Sequence, residues 1–289
     1  MAEQALDLAR KGAALLRERG FAQARLEAEL LLAGVLGLER LQLYLQFDRL
    51  VSDAELERYR VFVRRRLKHE PVQYILGEAA FRHLRLRVDR RVLIPRPETE
   101  VLVGEVLRWA AGRRGPVRAL DIGTGSGAIA LCLAQEGGLA EVVATDSSAD
   151  ALEVARSNAA ACGAGDRVKL RLGRLWEPVR EGERFDVVVS NPPYVADSEA
   201  TSLPPEVKEW EPAGALLAGE DGLDVLRGIV SGAAARLVPG GLLALEIGET
   251  QGPAVLAMIA AGGGAWGAPR LIRDLAGRDR VVLATAALE

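Results

Sequence analysis

The sequence predicts an α/β chain in two parts, a small helical bundle followed by a mainly parallel seven-stranded sheet with helices on both faces. Three observations carry this. Residues 2–75 repeat apolar side chains at three- and four-residue steps, with no strand pattern of any length among them. After Glu98 short apolar runs alternate with helical stretches, which is the rhythm of parallel strands joined by helical crossovers. The chain is 289 residues long, beyond the roughly 250 residues at which a single core stops growing.

In the first part, Leu6, Ala9, Ala13 and Leu16 define one helix with Gly20 as its stop, and Leu26, Leu30 and Leu31 begin a second that ends near Gly37. Ser52-Asp53-Ala54-Glu55 has the spacing of a capping box, opening a helix that runs towards Lys68 before Pro71. From Phe81 the period changes to two: Leu84, Leu86 and Val88 alternate with Arg85, Arg87 and Asp89. Arg90-Arg91 is expected to turn this strand into Val92-Leu93-Ile94, giving a hairpin, with Pro95 and Pro97 stiffening the exit. The domains are therefore read as 1–75 (helical), 76–95 (β-hairpin linker) and 96–289 (α/β). Strands are expected at Val117–Asp121, Glu141–Thr145, Val168–Leu172, Phe185–Ser190 and Leu242–Ile247, with helices at 127–136, 149–161 and 222–237. Two last runs, about 269–274 and 280–286, lie too close together for a helical crossover and should pair antiparallel.

Apolar residues make up 49% and charged residues 27% of the chain, which excludes a disordered or fibrous protein. No run of about 18 apolar residues is present to span a membrane, and the first twenty residues carry too many charges for a secretory signal. Cys132, Cys162, His69 and His83 are too few for a disulfide framework or a zinc ribbon, so no metal is expected and the cysteines read as free thiols. A cytoplasmic, monomeric protein is the expectation. Charge divides unevenly: residues 1–95 hold 18 Lys/Arg and 13 Asp/Glu, and residues 96–289 hold 19 and 27. Two parts with different partners would show such a split.

Asp121-Ile122-Gly123-Thr124-Gly125-Ser126-Gly127 follows the first strand of the sheet and opens a helix. Glycines there let the backbone turn tightly and approach a ligand. Gly123, Gly125 and Ala128 also satisfy the dinucleotide fingerprint, and Asp146 stands where it could serve an NAD ribose. The acid in front of the loop favours a different ligand. Asp121 would repel a pyrophosphate but attract the ammonium of an amino-acid tail, while Asp146 can accept both ribose hydroxyls. That pair suits S-adenosylmethionine (SAM) better than NAD. A tight turn without a ligand, and Asp146 as a cap for the helix 149–161, are the plainer alternatives.

Phe185–Ser190 reads as a buried strand, and Asn191-Pro192-Pro193-Tyr194 follows at once. Two prolines fix two backbone angles and remove two donors. The Asn191 side-chain oxygen beside an outward proline carbonyl forms a pair of acceptors for a planar NH2 group, against which the Tyr194 ring can lie. A carboxamide or aniline-like nitrogen is a poor nucleophile, so a site that methylates it must hold it in line; positioning can contribute about 7–11 kcal/mol. Acceptors that tighten as the nitrogen becomes cationic stabilise the transition state. This motif signals an amino-methyltransferase without choosing among adenine, guanine and glutamine.

At this point the chain resembles the protein-(glutamine-N5) methyltransferases of peptide chain release factors, the HemK/PrmC family. The resemblance rests on Pro71 to Gly77, Leu93-Ile94-Pro95-Arg96-Pro97-Glu98-Thr99-Glu100, Asp121 to Gly127 and Asn191 to Tyr194. Leu203-Pro204-Pro205-Glu206-Val207, Glu211-Pro212, Asp221-Gly222-Leu223 and Gly277-Arg278-Asp279-Arg280 extend it over nearly the whole chain. It implies a class I SAM-dependent methyltransferase domain, Rossmann-like, behind a helical domain and a hairpin linker; the uneven charge makes substrate docking the expected role of the helical domain. It also implies methylation of the glutamine in the Gly-Gly-Gln motif of class I release factors, with S-adenosylhomocysteine as product. By the resemblance Asp121, Gly123, Thr124, Gly125, Ser126, Gly127, Asp146 and a backbone contact at Leu175 hold SAM. Asn191 meets both reactants, Pro192, Pro193 and Tyr194 line the glutamine pocket, and Asn191, Pro192 and Tyr194 carry catalysis. Arg174 stands where the family often has an acid near the adenine.

Arg58, Arg60, Arg64, Arg65, Arg66 and Lys68 could face acidic protein or ribosomal RNA, but a solvated helix face is the preferred reading. Glu98 and Glu100 could touch the active site or cap the helix beginning there. A DNA or RNA amino-methyltransferase is the alternative; the acidic second part, which lacks a target-recognition domain, speaks against any direct nucleic-acid substrate. A non-catalytic ribosome-associated module is the other alternative, opposed by the intact Asn-Pro-Pro-Tyr turn.

Overall fold

In the computed structural model, which describes residues 3–288, the chain falls into two units. One comprises the residues up to Glu78 together with Pro204–Trp210; the other comprises Ala79–Leu203 together with the residues from Glu211 onward.

The first unit runs β1 (Glu3–Gln4), α1 (Ala5–Glu18), α2 (Ala24–Leu36), α3 (Arg40–Leu45), β2 (Leu50–Val51), α4 (Asp53–Arg66) and α5 (Val72–Leu76). The α1 stripe that goes inside is Ala5, Leu8, Ala9, Ala13 and Leu16. Gly37 ends α2 in the left-handed region at φ 65°, the conformation a helix C-terminus most readily gives to glycine. The capping box is formed from both sides: Ser52 N donates to Glu55 Oε2 at 2.9 Å, and Glu55 N donates to Ser52 Oγ at 3.4 Å. The expectation of no strands fails by one detail. β1 pairs antiparallel with β2, Glu3 opposite Val51 and Gln4 opposite Leu50; two residues are too few to display a period of two.

The basic run on α4 is neither wholly solvated nor a free cationic surface. Arg66 is 3% exposed, its Nε donates to Glu27 Oε2 at 2.9 Å, and its guanidinium lies 4.2 Å from the Phe21 ring centre. Arg65 pairs with Glu70 and Arg60 with Glu57. The segment Pro204–Trp210 belongs to the same unit: Trp210 Nε1 donates to the Lys68 carbonyl at 3.2 Å, and Glu206 lies 3.6 Å from Arg66.

The second unit begins within β3 (Glu78–Phe81), which forms a hairpin with β4 (Leu84–Arg87) closed by Arg82-His83, with Arg82 at φ 51°. The turn therefore precedes Leu84 instead of falling at Arg90-Arg91, and Val92–Ile94 is not a strand. Glu78-Ala79-Ala80-Phe81 does alternate in burial, but its two alanines blur the contrast in the sequence. The chain continues through α6 (Pro97–Ala111), β5 (Arg118–Ile122), α7 (Ala128–Gln135), β6 (Glu141–Asp146), α8 (Ala149–Ala161), β7 (Val168–Leu172) and β8 (Phe185–Ser190). After α9 (Pro205–Lys208) come α10 (Asp224–Arg236), β9 (Leu237–Glu246), α11 (Gly252–Ala261), β10 (Arg270–Arg273) and β11 (Asp279–Thr285).

Seven strands make one sheet in the order β10-β11-β9-β8-β5-β6-β7. All pairings are parallel except those of β11, which runs antiparallel to both β9 and β10. Along β8, Val187 and Val189 pack with Leu102, Val103 and Ile129 on one face, while Val188 packs with Leu226, Ile229 and Val255 on the other. Strand side chains alternate in this way when both faces are covered. The direction of strand succession reverses at β5, whose neighbours are β6 and β8. Ligands of open α/β sheets bind beyond the carboxyl ends of the strands at such a reversal. The glycine loop leaves β5 there, and the Asn-Pro-Pro-Tyr turn leaves β8.

Candidate active site

Between β5 and α7 the loop glycines Gly123, Gly125 and Gly127 all adopt positive φ, 74°, 54° and 85°. Gly123 N and Thr124 N both donate to the Thr145 carbonyl at 2.9 Å, which fixes the start of the loop to the end of β6. An added Cβ at Gly123 or Gly125 would meet no protein atom within 4 Å. Both residues line a cavity of about 340 Å³, so the missing side chains leave room for a ligand against the backbone.

Asp146 lies on the cavity wall. Its Oδ2 accepts from Gly125 N and its Oδ1 from Ser148 N, each at 2.9 Å. A carboxylate has about four acceptor positions, so each oxygen retains capacity for a hydroxyl. The helix that follows is capped by Ser148, whose Oγ accepts from Ala151 N at 3.1 Å, which removes capping as the role of Asp146.

Asp121 sits beneath the loop, fully buried and away from the cavity wall. Its Oδ2 accepts the Thr124 hydroxyl at 2.6 Å, and its Oδ1 has no hydrogen-bond partner among the described residues. Burial pushes its pKa up to about 7, and the charge of Asp146 adds to the rise. Thr124, Ser126 and Gly127 likewise support the loop from behind, with Ser126 3% exposed. Asn158 on α8 ties this support together: Nδ2 donates to the Ser126 and Arg87 carbonyls, and Oδ1 accepts from Arg87 N. Asn158 carries no motif that would single it out in the sequence.

At the other end of the cavity Leu175 stands at φ 49°, with its side chain against Gly228 of α10, where a Cβ would come within 2.5 Å of Cδ1. Leu175, Leu217 and Val225 line the cavity here beside Arg174, and the three apolar side chains offer a surface suited to a flat ring. Arg91, Val92 and Leu93 also line it, as do Pro212, Gly214 and Ala215. Arg96 pairs with buried Glu211 at 2.5 Å and so holds the start of that loop.

Ser190 ends β8 with its hydroxyl donating to the Ile122 carbonyl at 2.6 Å, joining the two strand ends at the reversal. Asn191 follows, half-buried and on the cavity wall. Its Nδ2 donates to Thr99 Oγ1 on α6 at 2.9 Å. With the NH2 end engaged, Oδ1 is the end left to accept. Pro193 also lines the cavity, whereas Pro192 is buried behind it, its carbonyl taking no backbone hydrogen bond from the described residues. Tyr194 is half-buried, packed against the core beside α10 and α11, and Gln251 Nε2 donates to its carbonyl at 2.9 Å. Burial pushes the Tyr194 phenol up to about 12, and the Glu246 carboxylate adds to the rise.

Similarity to known proteins agrees with this geometry. A family model described as the PrmC N-terminal domain matches residues 7–77, and one described as the methyltransferase small domain matches residues 100–204. A release factor glutamine methyltransferase of Geobacter sulfurreducens is 47% identical, covering 84% of each chain. A relative of the same name from Cereibacter sphaeroides is 41% identical, covering 97% of this chain and 98% of its own. The chain belongs to the release factor glutamine methyltransferase family. Among solved structures, a methyltransferase from Pyrococcus furiosus aligns with TM-score 0.53 at 21% identity, over 72% of this chain and 90% of that one. The hMettl16 catalytic domain aligns with TM-score 0.55 at 16% identity, over 84% and 85%. At such identities these two show the fold, that of class I methyltransferases, and the family implies the use of SAM.

The walls of this methyltransferase fit that cofactor. The glycine backbone is open where a zwitterionic tail needs close approach, Asp146 has acceptor capacity for two hydroxyls, and Leu175, Leu217 and Val225 offer apolar surface. Of the residues singled out in the sequence, Gly123, Gly125, Asp146, Leu175, Asn191 and Pro193 share the cavity. Asp121, Thr124, Ser126, Gly127, Pro192 and Tyr194 stand behind or beside it. Glu100 is a brace, its Oε1 accepting from Arg82 N at 2.9 Å. Arg174 lines the wall while its own N–H donates to Glu177. No described helix is long and apolar enough to cross a membrane.

Proposed function

We propose that this methyltransferase transfers the methyl group of SAM to the side-chain amide nitrogen of the glutamine in the Gly-Gly-Gln motif of class I release factors, with S-adenosylhomocysteine as product. The observation that carries the reading is the Asn191 side chain, tied by Nδ2 to Thr99 and presenting Oδ1 at the cavity wall. The names of relatives that align over most of the chain supply the acceptor.

Bound in the cavity, SAM would supply an electrophilic sulfonium methyl. Asp146 would hold the ribose hydroxyls, the backbone at Gly123 and Gly125 would admit the amino-acid tail, and Leu175 would flank the adenine. Asn191 Oδ1 and the Pro192 carbonyl would accept the two amide hydrogens of the glutamine, orienting its lone pair along the line of transfer. As the nitrogen gains positive charge, both acceptors tighten, which lowers the barrier selectively. The Tyr194 ring would cover the amide plane and keep water out; its phenol stays neutral at physiological pH. The extra proton departs after transfer, with no strong base required.

Mass spectrometry of a class I release factor incubated with the full chain and SAM tests this. A single methyl on the Gly-Gly-Gln glutamine supports the reading. Methyl transfer to an oligonucleotide in its place would indicate a nucleic-acid amino-methyltransferase, and no transfer to either would indicate a binding module.

A further inference from the structure

We propose that Thr99 and Glu246 are positioning residues for the transfer: the Thr99 hydroxyl, turned towards the buried Glu246 carboxyl, is left to accept from Asn191 Nδ2 and so fixes that carboxamide with Oδ1 facing the incoming amide. The inference rests on the function proposed above and adds what decides the polarity of the catalytic asparagine.

The two ends of an asparagine carboxamide are nearly the same size, but one accepts and the other donates. Rotated by half a turn, Asn191 would present NH2 to a substrate NH2, donor against donor. Its neighbour must therefore specify the rotation. Thr99 lies in the first turn of α6, 4% exposed, and its hydroxyl has a single proton to give. If that proton points to Glu246, only lone pairs remain for Asn191.

Sheet register brings Glu246 to this place. Ser190 of β8 is partnered with Leu245 of β9, so the next step sets Asn191 beside Glu246 at the ends of two parallel neighbours. Residues so paired leave the same face of a sheet, here the face that α6 covers. Glu246 is 1% exposed. Neither of its oxygens is in full hydrogen-bond geometry with a described residue, yet the Thr99 hydroxyl is the polar group that most favours its charged form. Arg280 on β11 and Arg96 before α6 act in the same direction, Glu98 acts against them, and burial, the largest influence, carries the pKa up to about 7. Tyr194, a further titratable neighbour, stays neutral. Ionised, Glu246 can only accept, which enforces the productive arrangement. Protonated, it can donate to Thr99, freeing that hydroxyl to turn on Asn191 Oδ1 and reverse the carboxamide.

The test compares wild type with Thr99→Val, Thr99→Ser and Glu246→Gln, using the full chain, SAM and an intact class I release factor. Thr99→Val keeps the shape without the hydroxyl, and it and Glu246→Gln should each lower kcat about 10- to 100-fold, with KM for the release factor and SAM affinity by calorimetry little changed. Thr99→Ser should restore most of the loss. Wild-type kcat should climb as pH rises through about 7, and Glu246→Gln should abolish that climb. Nitrogen-15 NMR of the Asn191 side chain should show slow proton exchange in wild type and fast exchange in Thr99→Val. Wild-type kcat in Thr99→Val, or an unprotected Asn191 amide in the wild type, would overturn the proposal. If the wild type leaves the release factor unmodified, the functional reading falls, and the NMR comparison still decides the positioning role either way.

Discussion

One oxygen of the Asp146 carboxylate accepts the backbone amide of Gly125 at 2.9 Å, so the acid that ends β6 also pins the loop that leaves β5. Loop geometry and the proposed ribose contact are thereby vested in one side chain. Asp146→Ala should weaken SAM binding on the order of 100-fold, the loss of about two charge-assisted hydrogen bonds. Calorimetry checks this, and unchanged affinity would remove the ribose assignment.

Asn191→Ala should behave differently. In the proposed function its carboxamide accepts from the nucleophile, so kcat should fall by about 10²–10³ while SAM affinity stays close to wild type. Steady-state kinetics with a release factor would refute the role by finding near-normal turnover.

Gly222 stands at φ 74°, and a Cβ there would come within 2.4 Å of the Tyr194 carbonyl oxygen and 3.0 Å of Ala196 N. Gly222→Ala should cost about 1–3 kcal/mol from backbone strain and should lower turnover as well, because the shift is passed to the proline-braced turn. Thermal melts read the first effect and methyl transfer the second. An unaltered melting temperature would count against the packing argument.

In the helical unit, Arg66→Ala should destabilise by about 2–4 kcal/mol, since it strips a partner from Glu27 and uncovers the Phe21 face. Arg64→Ala, on the same helix, is expected to change little. Chemical denaturation distinguishes the two, and equal effects would mean that burial of Arg66 is energetically unimportant.

Asp121 and Glu246 both have pKa values raised to about 7 by burial. An acid that binds its proton more tightly when folded stabilises the protein fully below its unfolded pKa and loses that contribution as pH rises through the folded value. Wild-type stability should therefore decline between about pH 4 and pH 7 on account of these groups. Asp121→Asn should flatten the decline, gaining relative to wild type as pH increases. Melting temperatures across that range check the sign; a variant that loses ground at higher pH would show it to be wrong.

Much of this was legible in the residues because strands and loops at the sheet reversal are written locally. The apolar runs ending at Asp121 and Ser190, with glycines after one and prolines after the other, place both motifs at strand carboxyl ends without any tertiary knowledge. What escaped depends on partners distant in the chain. Thr99 meets Asn191 across 92 positions, and Asn158 meets Arg87 across 71; no local pattern encodes either. The hairpin was misplaced because Ala79 and Ala80 differ in burial but not in hydropathy. Arg66 was grouped with its basic neighbours because charge alone does not reveal which member of a run lies over an aromatic ring.

Pro204–Trp210 folds with the N-terminal helices although it is encoded between stretches of the sheet unit. The helical unit is therefore no self-contained cassette. A recombination crossing near residue 78 would carry off Lys68 and Arg66 without Trp210 and Glu206, leaving each half with an unfinished surface. Inheritance of the two units is thus coupled, and a lineage that exchanges one must replace two separated stretches of the gene together.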